Sequence, residues 1–127
     1  MNTRSCNILV VDDEHPISEI VSTILRRQGH TVEAAENGKL AFQLFAAKSD
    51  FFDIVITDHS MPEKTGLELV RDLRASGYGG RIIVMSGSLT NELTEAYRAH
   101  SVDAILQKPF TPASLSTILD NLLEKWK

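Results

Sequence analysis

Five short apolar runs alternate with longer stretches of helical spacing, and this alternation narrows the fold of the chain more than any other feature. The first run, Asn7 to Val11 (NILVV), is continuously apolar after its first residue, as expected of a strand buried on both faces. HPISEIVSTILRRQG follows, with Ile17, Ile20, Val21, Ile24 and Leu25 at the i, i+3, i+4 spacing of one helix face. Pro16 suits the first turn, where its missing N–H has no intrahelical partner, and Gly29 suits the C-terminal stop. Thr31 to Ala35 reads as a second strand. NGKLAFQLFAAK reads as a second helix with Leu40, Ala41, Leu44 and Phe45 on one side, and Phe52 to Thr57 as a third strand. The cycle then repeats. TGLELVRDLRAS turns Leu69, Val70 and Leu73 inward, GYGG makes a permissive turn, and Arg81 to Ser86 forms the fourth strand. NELTEAYRAHS is a weaker helix with a thin stripe of Leu93, Ala96 and Tyr97, and Asp103 to Gln107 is the fifth strand. PASLSTILDNLLEKW closes the series as a helix through Leu115, Ile118, Leu119, Leu122 and Trp126.

Strands alternating with helices predict an α/β fold, a doubly wound five-stranded parallel sheet with five helices covering both faces. The flavodoxin-like strand order 2-1-3-4-5 is one such winding, and ligands then sit at the carboxyl ends of the strands, near the switch point. A length of 127 residues suits a single domain, 1–127 with its core at about 5–125, and no output domain is expected within it. The net charge of −4 argues against direct nucleic-acid binding through phosphate contacts. Apolar runs all fall short of the roughly 20 residues of a membrane span, and the run after the N-terminus is too short for a signal-peptide core. The lone Cys6 cannot form an internal disulfide and reads as a small strand-edge residue, so a cytoplasmic location is expected.

Chemistry gathers at the strand ends. Strand one runs into Asp12 and Asp13, strand three into Asp58, strand four ends at Ser86, and strand five leads to Lys108 and Pro109. A parallel sheet brings all of these to one edge. Three carboxylates and one ammonium leave an excess of negative charge there. Two like charges about 4 Å apart repel by roughly 4 kcal/mol at an effective dielectric near 20, so a divalent cation is expected to offset them. Oxygen ligands with several waters suit Mg²⁺. Asp13 and Asp58 read as direct ligands and Asp12 as one acting through water. Such a metal beside a carboxylate suggests phosphoryl transfer, with Asp58 as nucleophile forming an acyl phosphate. Lys108 would balance a second phosphoryl oxygen and the Ser86 hydroxyl would donate to the third. Taken singly, each feature has a plainer explanation: DDE as a helix cap, Asp58 as a turn residue, Lys108-Pro109 and Ser86-Gly87 as surface loop. Their shared position at one end of different strands favours a common site.

With these residues in view, the chain resembles the response-regulator receiver domains of two-component systems, the CheY-like family. ILVVDDE, AENGKLAF, DIVITDHSMPEKTGLELVRDLR, IIVMSG and DAILQKPF carry the likeness, in order, over about Ser5 to Lys125. It implies that Asp58 is the phosphoacceptor and that Asp12 and Asp13 are the acidic pair for Mg²⁺. Further, it makes the backbone carbonyl of Ser60 the third protein ligand, sets Ser86 and Lys108 against the phosphoryl group, and puts a cis bond before Pro109. A sensor histidine kinase or phosphotransfer protein is the implied donor. The implied output is a protein target bound through the helix 4–strand 5–helix 5 face, or an attached domain, with no membrane or nucleic-acid partner. Such a domain is a signalling phosphoacceptor rather than an enzyme, although it supports its own phosphorylation and slow autodephosphorylation.

One departure matters. Receivers commonly carry Tyr or Phe three residues before the lysine of the KP pair, as a ring that swings inward on activation; here that position is Ile105. His59 reads as a bystander, His15, His30 and His100 as helix-end or surface residues, and Met61 and Met85 as packing. Two other readings stay open. An unphosphorylated pseudo-receiver would act as an interaction module. An aspartyl-nucleophile phosphatase usually needs a second acid two residues after the nucleophile, where this chain has Ser60.

Overall fold

In the computed structural model, which describes residues 5–48, 50–62 and 64–124, strands and helices alternate throughout. The strands are β1 (Asn7–Val11), β2 (Thr31–Ala35), β3 (Ile54–Asp58), β4 (Arg81–Ser86) and β5 (Ala104–Gln107). The helices are α1 (His15–Arg27), α2 (Gly38–Ala47), α3 (Gly66–Ala75), α4 (Asn91–Arg98) and α5 (Pro112–Glu124). The strands form one sheet in the order β2-β1-β3-β4-β5, and every pairing is parallel. This is the doubly wound, flavodoxin-like arrangement expected from the alternation. Trp126, expected to extend the terminal helix, lies outside the described residues.

Successive strand residues face opposite ways, so the central strands feed two cores. Ile8, Val10, Ile54, Ile56, Ile83 and Met85 meet Val21 and Leu25 of α1 and Leu115, Leu119, Leu122 and Leu123 of α5. Leu9, Val11, Val55, Ile82 and Val84 meet Ala41 and Phe45 of α2, Leu69, Val70 and Leu73 of α3, and Tyr97 of α4. Cys6 is buried just before β1, and Met61 and Met85 are packing residues as expected.

Two helices bury a different arc from the one their apolar spacing suggests. Ile20 is 57% exposed and Leu40 41%. The buried arc of α1 is instead Ser18, Val21, Ser22 and Leu25. At 100° per residue Ile20 falls nearly opposite that arc, and the two serines offer little bulk to hold the helix off the sheet. Likewise α2 buries Gly38, Ala41 and Phe45, with Leu40 turned away. The α1 stop behaves as read: Gly29 takes φ +95° and donates to the Arg26 carbonyl at 3.0 Å. His30 sits just past the end of α1, one of the two placements expected of it, but not at the surface. It is buried, and its Nδ1 accepts the Cys6 N–H at 3.0 Å. The fourth helix ends three residues earlier than expected, at Arg98, and Tyr97 is its one buried residue.

Candidate functional site

The parallel sheet carries the ends of β1, β3, β4 and β5 to one edge, and backbone bonds lock them there. Asp12 N–H donates to the Ala35 carbonyl at 3.1 Å, beyond the last residue of β1. Asp58, the last residue of β3, pairs with Met85 of β4, and the next N–H, that of His59, donates to the Met85 carbonyl at 3.0 Å. Lys108 N–H donates to the Ser86 carbonyl at 2.8 Å, which ties the start of the β5–α5 loop to the tip of β4. The Lys108–Pro109 bond is cis, as the resemblance implied.

From this base the Lys108 side chain crosses to the acids. Its Nζ lies 3.0 Å from Asp58 Oδ1, 3.5 Å from Asp12 Oδ2 and 3.6 Å from Glu14 Oε1. Asp12 and Asp58 are both buried. One carboxylate oxygen from each of Asp12, Glu14 and Asp58 lies within 4.8 Å of the others, an acidic cluster of the size that holds a metal ion. Glu14 escaped the sequence reading, which stopped at the Asp pair. The signal was there in the third letter of DDE, but only the turn after β1 shows that Glu14 doubles back. That turn also disposes of the capping explanation. Glu14 occupies the N-cap of α1 and its side chain makes no capping bond, while Asp12 Oδ1 accepts the Glu14 N–H at 2.9 Å.

The cluster is electrostatically strained. Burial lifts Asp58 above the usual carboxylate range against the opposing hydrogen bond and charge of Lys108 and the His59 N–H, and the nearby Asp13 charge adds to the rise. Burial likewise lifts Asp12, against the Glu14 N–H, with the Asp58 charge adding to it. Lys108 is also desolvated, which alone would lower it, but its hydrogen bond to Asp58 and the surrounding acids raise it, so it stays an ammonium. One ammonium therefore does not satisfy the acids, and the donor set of carboxylate oxygens is that of a hard divalent cation.

Asp13 is exposed beside the cluster, close enough for its charge to act on Asp58. Ser86 is buried at the tip of β4, and its Oγ accepts the Ser88 N–H at 3.2 Å. Ser60 is exposed in the loop after Asp58. Ile105 is half-buried against the α2–α3–α4 core. His59, read as a bystander to phosphoryl transfer, bonds through its Nδ1 to the hydroxyl of Tyr97, a buried ring on α4.

A flavodoxin-like α/β domain with an acid–lysine pocket at its switch point is the class that the fold and site define. The chain belongs to the response regulator receiver domain family, whose model matches residues 8–120. It is 38% identical to a response regulator receiver protein of Anaeromyxobacter over 80% of this chain and 42% of that protein. It is 29% identical to a two-component response regulator of rice over 92% of this chain and 56% of that one. Among solved structures, the chemotaxis protein CheY4 of Vibrio cholerae superposes with a TM-score of 0.85 at 31% identity, covering 94% of this chain and all of that one. This chain spans about half the length of the curated relatives it matches. Among the described residues no helix is long and apolar enough to cross a membrane.

Proposed function

We propose that this receiver domain, residues 1–127, accepts a phosphoryl group on Asp58 from a phosphohistidine donor, a sensor histidine kinase or phosphotransfer protein. The change of state then acts on a protein target or an attached domain. The observation that carries the reading is the Lys108 ammonium 3.0 Å from Asp58 Oδ1 inside a cluster of three acids. A carboxylate oxygen of Asp58 would attack phosphorus, and the leaving group departs with the electron pair of its bond to phosphorus. Lys108 is positioned to move from the Asp58 carboxylate to a phosphoryl oxygen, since both are anionic and the ammonium is a compact point charge. Ser86, one residue beyond the Asp58 partner in β4, supplies a hydroxyl donor for another oxygen, since its Oγ can accept the Ser88 N–H and donate its own proton at once. Asp12, Asp13 or Glu14, Asp58 and the Ser60 carbonyl would hold Mg²⁺. That ion, when bound, offsets the charge of the acids and of the incoming phosphoryl group. Lifting two buried carboxylates above their usual range is the condition such an ion relieves.

Incubation of the protein with Mg²⁺ and acetyl phosphate, followed by intact mass, tests this. One added phosphoryl group, absent in Asp58→Asn, is expected. No gain in the wild type would leave the pseudo-receiver reading in its place, and rapid turnover of a generic phosphate ester lost in the same variant would favour the phosphatase.

A further inference from the structure

We propose that the hydrogen bond between the Tyr97 hydroxyl and His59 Nδ1 carries the state of Asp58 to α4, with Tyr97 as the positioning residue. The inference rests on the phosphoacceptor reading and adds the route by which that site is coupled to the helix. Three observations converge on it. Tyr97 is fully buried, is among the largest such side chains of the described residues, and is the one residue of α4 in that state, with Leu93 packed only partly against the same core. The polar end of that ring reaches the residue that follows the acceptor: the hydroxyl bonds to His59 Nδ1, and the two rings meet edge to face at 5.6 Å and 82°. The junction has no slack. A Cβ added at Gly66, the first residue of α3, would lie 2.4 Å from the Asp58 carbonyl, 2.8 Å from the Tyr97 hydroxyl and 2.9 Å from His59 Cα.

Backbone bonds hold His59 on both sides, its N–H to Met85 and its carbonyl accepting from Gly66 at 2.9 Å. The imidazole is therefore a fixed extension of the acceptor loop. A close-packed junction responds to a shift on one side by moving the other, because a gap or an overlap costs more than a rearrangement. Burial raises the Tyr97 hydroxyl well above its ordinary value, with the Asp58 charge adding to the rise, so the phenol keeps its proton, and the imidazole tautomer sets which partner donates. The aromatic ring missing from β5, where Ile105 stands, is thus supplied to the same core from α4. The linkage differs in kind from a swinging ring: Tyr97 is fully packed, and its hydroxyl contacts the acceptor loop already in the free protein.

Amide hydrogen exchange over Leu93 to Arg98, with and without excess acetyl phosphate and Mg²⁺, tests the link in four proteins, each first checked by intact mass for the phosphoryl group. In the wild type, exchange in α4 is expected to change severalfold on phosphorylation. Tyr97→Phe keeps the ring and removes the bond; it should still be phosphorylated yet lose most of that change. His59→Leu should behave the same way. His59→Asn, which keeps an acceptor near the position of Nδ1, should recover the response, which a loss of packing alone would not do. If Tyr97→Phe does not fold, the two His59 variants decide the matter. An α4 response equal in the wild type and His59→Leu, or none in a fully phosphorylated wild type, overturns the link and leaves the phosphoacceptor reading standing. Absence of any phosphoryl gain in the wild type overturns that reading, and the link with it.

Discussion

At the scale of single residues, buried charge sets the behaviour of the site. Asp12 and Asp58 titrate above their ordinary range in the fold, chiefly through burial. A carboxyl whose folded pKa is raised contributes stability below the unfolded value, near 4, and loses it as the pH rises through the folded value. At pH 7 the ionised acids therefore weigh against the metal-free fold. Asp12→Asn keeps an oxygen to accept the Glu14 N–H and removes a charge. Its melting temperature without Mg²⁺ is expected to exceed that of the wild type, and calorimetry reads this directly. Added Mg²⁺ should reverse the order, since a ligand at a hundredfold its dissociation constant contributes about 2.7 kcal/mol, most of which the variant forgoes.

A second buried titrating group lies away from the site. His30 accepts the Cys6 N–H at Nδ1, which puts its proton on Nε2, and among the described residues Nε2 has no hydrogen-bond partner. Burial depresses its pKa, with the Asp120 charge opposing. The fold thus favours the neutral ring. Its contribution is fully present above the unfolded value of about 6.5 and is lost as the pH falls below it toward the depressed folded value. Melting temperatures measured from pH 7.5 down to 5.5 are expected to fall more steeply in the wild type than in His30→Gln, which cannot take up a proton. Parallel slopes would remove His30 from the account.

At the scale of elements, local chemistry starts the helices and packing decides which face they bury. α3 begins with a complete capping box: Thr65 Oγ1 accepts the Glu68 N–H at 3.2 Å and Glu68 Oε1 accepts the Thr65 N–H at 2.8 Å. Thr65→Ala is expected to cost about 1 kcal/mol in urea unfolding, with phosphorylation by acetyl phosphate retained, because neither side chain belongs to the acid cluster. The alternation in TGLELVRDLR placed Leu69, Val70 and Leu73 correctly, and all three are fully buried. In α1 and α2 the same reading misplaced Ile20 and Leu40. Apolar spacing marks a broad stripe, but in α1 the small Ser18 and Ser22 share the buried arc with Val21 and Leu25, which leaves Ile20 outside it, and in α2 the buried Gly38 lies against the Lys64 side chain.

At the scale of the whole molecule, one sheet joins two cores, so neither layer of helices has a foundation of its own. Ile56 and Ile83 are paired neighbours facing α1 and α5, while Val55 and Ile82 face α2 and α3. Ile83→Ala is expected to destabilise the domain by about 2–5 kcal/mol. It should shift circular dichroism of the helices and tryptophan-independent probes of the sheet together, as one transition. Two transitions would mean that the layers unfold separately.

Strand positions, their parallel pairing and the gathering of Asp12, Asp58 and Lys108 were legible in the sequence. They follow from periodicity and from a general property of parallel sheets, that equivalent strand ends share an edge. Only the tertiary structure decided the rest. Glu14 joins the cluster because a turn after β1 folds it back toward Lys108, at 3.6 Å. His59 meets Tyr97 because the fold brings the loop after β3 against α4, 38 residues apart along the chain at these positions. Periodicity reports how one segment divides between water and core. It holds no information on which side chains from distant segments are pressed together, since that depends on helix rotation and on the small residues that permit close approach.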